Sequence, residues 1–144
     1  KSLTSIVTDE AGNIGAASPA LELTLDTTGD TFTLTAGADT GASFIGTNGT
    51  DTYVGTYNDA GTGTWNIADE IDGAGASDTL NITPLGEAAI TLADTYWSGI
   101  SNIEKIVINT TGAGAQTITA GANFQAAFAA AGVSLETTST ADDH

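Results

Sequence analysis

The sequence predicts an all-β fold: a β-roll or parallel β-solenoid-like stack with one short helix, with a β-sandwich as the alternative. Three observations carry this. Apolar and polar residues alternate at period two, most clearly where Leu21, Leu23 and Leu25 interleave with Glu22 and Thr24. A unit of glycine-containing turn, Asp, Thr and large apolar residue recurs along the chain, and stacked coils require short strands with turns between them. Only Asn123–Ala131 reads as a helix, with Asn123 as N-cap, Phe124 and Phe128 one turn apart, and Gly132 as terminator.

Taken in order, residues 1–26 read as two strands around the turn Asp9-Glu10-Ala11-Gly12-Asn13. Two strands are marginal alone in water, so this piece needs packing partners. From Thr31, Phe32 and Leu34 alternate with threonines. Then come three glycine-Asp turns, around Asp39, Asp51 and Asp78. Asp51 and Asp78 lie 27 positions apart, which fits a nine-residue register taken three times. Ala89–Leu92, Ser101–Asn109 and Gln116–Thr119 read as strands, and Val133–Glu136 as a last one. Thr137–His144 reads as a frayed tail. The implied units are 1–28, 29–136 and 137–144.

Composition narrows the function. Lys and Arg total 2 against 18 Asp and Glu, a formal charge of −16. No basic face for nucleic acid can be built from that, and anionic membrane surfaces are disfavoured. No apolar run reaches the length of a membrane span. Cysteine is absent, so disulfides and thiolate metal sites are excluded. The lone histidine is terminal, which leaves no Ser/His or Cys/His pair for nucleophilic catalysis and no His/Cys zinc site.

The acidic residues sit beside glycine and other small residues, at turns. Asp69–Leu80 is the clearest case: carboxylates flank a Gly/Ala bend that runs into Thr79-Leu80-Asn81-Ile82-Thr83. Small residues let the backbone curl until carbonyl oxygens converge. Calcium takes six to eight such hard oxygens in a tolerant geometry. The candidate ligands are Asp39, Asp51, Asp69, Asp72 and Asp78, with Asn48 and main-chain oxygens near Gly46, Gly49, Gly73 and Gly75; Asp59 is a weaker choice. Asp26 and Asp30 are candidates for stiffening the linker.

Two resemblances sharpen this. Val7-Thr8-Asp9-Glu10-Ala11-Gly12-Asn13, Ala17-Ser18-Pro19-Ala20-Leu21 and Leu25-Asp26-Thr27-Thr28 resemble the last two strands and linker of bacterial Ig-like adhesin repeats. Gly46, Gly49, Asp51 and Tyr53 fall on four of five defined positions of the nonapeptide of RTX calcium-binding β-rolls; Gly73, Asp78 and Leu80 fall on three, and Gly37 and Asp39 on two. The order of a Gly-Thr-x-Gly-x-Asp-Thr-aromatic turn, an acidic Ile-Asp-Gly turn and Asp-Thr-Leu-Asn also resembles RTX-related surface-layer proteins and large adhesins. The resemblance implies a secreted, non-enzymatic module on a bacterial cell surface, ordered by Ca2+ outside the cell. Neighbouring copies and surface glycans are the implied further partners. Alanine at 74 and 76, where the pattern has glycine, implies altered turns there.

Two other classes have a sequence basis. Trp65, Trp97, Tyr53, Tyr57 and Tyr96 could form a carbohydrate platform. Asp39-Thr40-Gly41-Ala42-Ser43 resembles the active-site loop of retroviral-type aspartic proteases, although Ala36-Gly37-Ala38 stands where that family has an apolar strand.

Overall fold

The computed structural model describes residues 2–22, 24–58, 61–86, 90–110, 115–129 and 132–139. Asp59, Ala89, the end of the expected helix and residues 140–144 lie outside them. In chain order the elements are β1 (Ser2–Leu3), β2 (Leu21–Glu22), β3 (Thr31–Thr33), β4 (Thr52–Tyr57), β5 (Ile71–Asp72), β6 (Thr79–Pro84), β7 (Ile90–Leu92), β8 (Ile100–Ser101), β9 (Lys105–Thr110), β10 (Gln116–Ile118), α1 (Ala122–Phe128) and β11 (Ser134–Ser139). The protein is therefore strand-rich with a single short α-helix among the described residues, besides 3-10 turns at Gly41–Phe44 and Asp94–Trp97.

The main sheet has five strands in the order β11-β9-β6-β4-β3, and every neighbouring pair is parallel. Each strand lies beside the next one in the chain that joins this sheet. Thr31, Thr52, Thr79, Lys105 and Ser134 share one register line. Two smaller parallel pairs, β5 with β8 and β7 with β10, are formed by the segments between those strands. Parallel neighbours need a long connection. Here the register sets equivalent residues of successive strands side by side. The 27 positions from Asp51 to Asp78 are one such return, since Thr52 pairs directly with Thr79. They are not three nine-residue steps.

The strand alternation decides the core. Tyr53, Leu80 and Ile106 stand in register and are fully buried, as are Ile82 and Ile108. Gly55 sits on the same inward face because a Cβ there would meet Leu34, Trp65 and Ile82 at 2.9–3.6 Å. An aromatic column continues the core: Trp65 packs on Trp97 at 5.1 Å between ring centroids, and Trp97 packs on Phe124 and Phe128 at 5.2 and 5.7 Å. Phe124 and Phe128 meet one helical turn apart, as their spacing requires.

Three expectations change in detail. The helix begins at Ala122, not Asn123, with Gly121 in the cap position. Its first amides are met by a residue from elsewhere in the chain, which removes the need for a local cap. It ends at Phe128 with Ala129 as C-cap, earlier than the expected Ala131; Gly132, at φ +74°, donates its N–H to the Phe128 carbonyl. Thr137–Ser139 belong to β11 and are held along β9, with Thr138 Oγ1 donating to Asn109 Oδ1 at 2.6 Å.

The N-terminal part is built differently. β1 and β2 pair antiparallel, and Thr8 bridges Ile14 across the Asp9–Asn13 turn. Asp9 holds that turn by accepting the N–H and the side-chain amide of Asn13, each at 2.8 Å. Leu21 and Leu25 read in sequence as one buried face, yet both are exposed. Two strands supply no second layer to cover it.

Candidate functional site

The residue just before each strand of the main sheet is acidic in four successive turns of the chain: Asp30, Asp51, Asp78 and Glu104. Parallel stacking sets them in a column, and hydrogen bonds tie the column together. The Asp30 N–H donates to Asp51 Oδ1 at 2.6 Å, the Asp51 N–H to Asp78 Oδ1 at 2.7 Å, and the Asp78 N–H to Glu104 Oε2 at 2.8 Å. Each carboxylate therefore accepts the amide of its counterpart one turn earlier. A charge-assisted bond of this kind is among the stronger hydrogen bonds a protein makes.

A second rank repeats the device. The Asp39 N–H donates to Asp69 Oδ1 at 3.0 Å, and the Glu70 N–H donates to the Asp39 carbonyl at 2.8 Å. Asp39 in turn accepts the Thr35 N–H at 2.6 Å and the Thr35 hydroxyl at 2.7 Å. Asp69 also accepts the Asn66 N–H at 2.8 Å. Asp94, which the sequence analysis passed over, accepts the N–H groups of Gly121, Asn123 and Phe124 at 2.8, 3.1 and 3.0 Å. It is the cap of α1, supplied 27 positions away from Gly121. The Phe124 amide above all, with those of Asn123 and Gly121, holds its carboxyl below the ordinary carboxylate range.

The predicted ligands thus separate into groups. Asp39, Asp51, Asp69 and Asp78 are all buried. The carboxylate oxygens of Asp39, Asp51 and Asp69 are occupied by amide or hydroxyl donors; Thr47 supplies the second donor to Asp51, through its N–H to Oδ2 at 2.6 Å. Asp72 is half-buried, and its Oδ1 accepts the Ala74 N–H and the Asn102 side-chain amide. Asn48 is exposed, and its N–H donates to the Asp26 carbonyl. Gly49 is buried where its Cα faces the Thr27–Gly29 backbone too closely for any side chain. Gly75 donates its N–H to the Thr47 carbonyl. Among the described residues, no group of three or more Asp, Glu, His or Cys side chains converges to hold a metal ion.

Asp78 is the exception in this column. Its Oδ2 is buried and has no hydrogen-bond partner among the described residues. The cause is local. In the preceding turn Thr47 N–H reaches Asp51 Oδ2; the equivalent amide, that of Ala74, turns to Asp72 Oδ1 instead. Ala74 and Ala76 hold φ at 65° and 86°, so this bend keeps a left-handed backbone without glycine. Burial, then the charges of Asp51, Glu104 and Asp72, push the Asp78 carboxyl up, against the pull of the Asp51 amide. Asp69 is likewise pushed up by burial.

Main-chain oxygens approach the same place. A Cβ on Gly73 would overlap the Asn102 carbonyl oxygen and stand 2.6 Å from Asp78 Oδ2. A Cβ on Gly46 would overlap Asp51 Oδ2 and stand 2.6 Å from the Gly73 carbonyl oxygen. Glycine is required at both positions for that close approach. Tyr53 closes the inner side: its hydroxyl donates to the Asp72 carbonyl at 2.7 Å. Burial and the charges of Asp51, Asp78 and Asp72 push its phenol up, so it remains a donor.

No protein-family model matches the chain, and neither a curated protein nor a solved structure matches it. The aromatic residues of the candidate sugar platform are in the core: Tyr53, Tyr57, Trp65 and Trp97 are buried and Tyr96 is half-buried. Asp39, of the protease-like loop, is buried with both oxygens engaged.

The sequence did not reveal Asp30, Glu104 and Asp94 as parts of this system. One signal was present: Thr35/Asp39 and Thr47/Asp51 share a four-residue spacing, which sets the Thr donor over its own Asp. Asp30, Glu104 and Asp94 carry no such local mark, because their partners lie on another turn.

Proposed function

We propose that this chain is a structural module of an exported bacterial surface protein, of surface-layer or adhesin type. Its stack is a β-solenoid whose turns are clamped by carboxylates, and calcium completes the clamp. The module is not catalytic. The observation that carries this reading is the unpartnered, buried Asp78 Oδ2 beside the Asn102 carbonyl, within a column of acidic residues. An orphaned buried acceptor costs about 1–3 kcal/mol, and a hard cation relieves it.

The residues that fit the ion are Asp78 and the Asn102 carbonyl, with the Asp51, Asp72 and Glu104 charges close enough to act on Asp78. Calcium supplies the positive charge that lets Asp78 stay ionised while buried. Asp51 and Asp69 act mainly as acceptors of an amide from the turn before, and Asp39 as the acceptor of the Thr35 N–H and hydroxyl. In a low-calcium cytosol the column repels itself and the chain stays loose; outside the cell, calcium binding stabilises the folded stack by mass action.

The test is thermal melting of the full chain across a calcium titration. Melting temperature is expected to rise with calcium in the parent chain and to stay flat in Asp78→Asn. Identical melting of the parent chain in excess chelator and in excess calcium sinks the calcium part of the reading. A carbohydrate reading finds no support in an aromatic set that is packed inward.

A further inference from the structure

The turn-to-turn contact is directional, and its two ends are left open in complementary ways. Along the stack, the N–H groups of Thr52, Thr79, Lys105 and Ser134 donate to the carbonyls of Asp30, Asp51, Asp78 and Glu104 on the turn before. The amides of Asp30, Asp51 and Asp78 point the other way, to a carboxylate on the turn after. At the last turn, Val133 occupies the position of Glu104, and its N–H has no partner among the described residues. At the first turn, the Asp30 carboxylate is exposed and has no hydrogen-bond partner among the described residues. One end thus offers an unused donor where the ladder needs an acceptor. The other offers the unused acceptor.

The edges agree. β11 and β3 are the two outer strands of the main sheet, each with one side unpaired among the described residues. Ser134 uses its N–H toward β9, so the N–H groups of Leu135 and Thr137 face the open side. Leu135 is 55% exposed. A groove of about 380 Å3 lined by Phe124, Phe128 and Val133 opens beside it. Phe32, on the inward face of β3, is only half-buried although it stacks on Tyr53 at 4.7 Å.

We propose that a second copy of this chain docks its β3 on the β11 of the first, continuing the parallel sheet and the carboxylate ladder head to tail. The register follows from the turns within the chain. Ser134 pairs with Thr31 and Leu135 covers Phe32. The Thr31 N–H reaches the Val133 carbonyl, and the Val133 N–H reaches the Asp30 carboxylate. A contact of this kind uses two different surfaces, so it does not close on itself and adds copies in a line. Two chains of charge −16 repel, so the contact forms where salt screens them. It is independent of the calcium reading, and sodium chloride alone is enough to test it.

The experiment measures the molar mass of the full chain by light scattering against concentration, in dilute buffer and in about 1 M sodium chloride, where the screening length is about 3 Å. Mass is expected to grow with concentration in high salt and to pass beyond a dimer. Asp30→Ala and Thr137→Pro each remove one half of the contact and are expected to weaken association about tenfold or more. Neither touches a bond among the described residues: the Asp30 carboxylate has none there, and proline is tolerated where an edge N–H faces solvent. Leu135→Lys serves in place of Thr137→Pro if its melting curve shows that the proline disturbs β11. An equimolar mixture of the head and tail variants recovers association but stops at pairs. The proposal is overturned if the parent chain stays monomeric at every concentration in high salt. It is equally overturned if Asp30→Ala associates as the parent does, which is the outcome of β11 pairing with β11.

Discussion

Residues 3–25 hold Leu3, Ile6, Val7, Ile14, Leu21 and Leu25, and each of them is at least 59% exposed. The main sheet has apolar residues at similar alternation, yet Tyr53, Leu80 and Ile106 are at 0%. The difference lies in what each strand can lean on. β1 and β2 form a two-residue antiparallel pair, and their sheet has no third strand among the described residues. The inner strands β4, β6 and β9 each lie between two neighbouring strands, and the aromatic column packs into the same core. Alternation therefore supplies a face, and only repetition through space supplies something to bury it. About 25 cal/mol per Å2 of apolar surface is gained in the second region and largely forgone in the first.

The contrast should be widest in amide exchange. Amides of β4, β6 and β9 are expected to exchange only on global opening, and those of residues 2–22 orders of magnitude faster, as mass spectrometry of deuterated peptides would resolve. Equal protection in both regions would erase the comparison.

Next in size are core truncations. Leu80→Ala, at the centre of the sheet, is expected to cost about 2–5 kcal/mol in denaturant unfolding, and Ile14→Ala within about 0.5 kcal/mol of nothing. A comparable loss in both variants would mean that the N-terminal face is covered in solution.

A smaller effect concerns pH. The lowered Asp94 carboxyl contributes stability that is present above the ordinary range near pH 4 and is lost as pH falls through its folded value. Asp69 and Asp78, whose carboxyls are raised, work in the opposite sense: their ionised forms weaken the fold as pH rises through their folded values. Acidification should therefore release α1 before the sheet. Trp97 fluorescence reports this, because that ring packs on Phe124 and Phe128. In Asp94→Asn the step below about pH 4 should vanish.

The smallest change expected is a gain. Ala76 holds φ at 86°, and Ala76→Gly should stabilise by about 0.5–1 kcal/mol by relieving that strain. No gain would mean that the bend is held less tightly than the turns at Gly46 and Gly49.

The positions of four buried carboxylates, though not their hydrogen-bonding role, were visible before the fold. Asp39, Asp51, Asp69 and Asp78 were picked out because each stands at a bend of small residues, and all four are buried at such bends. Their donors were visible only in part. Thr35 and Thr47 lie four positions before their Asp, within reach of local reading. The Asp30, Asp51 and Asp78 amides reach carboxylates 21 to 27 positions further along. The helix start was misread by one residue for the same reason: its cap, Asp94, is on another turn.

The amino-acid sequence by itself determined the alternation that makes strands, the small residues that permit close bends, the acidic charge and the absence of cysteine. These follow from side-chain size, branching and ionisation, and they act within a few residues. Tertiary structure decided which carboxylate meets which amide, which apolar face is covered, and that Asp78 is left with a free oxygen. Those outcomes depend on parallel pairing and its register, and a hydrogen bond is chosen by proximity in space, which no single segment encodes.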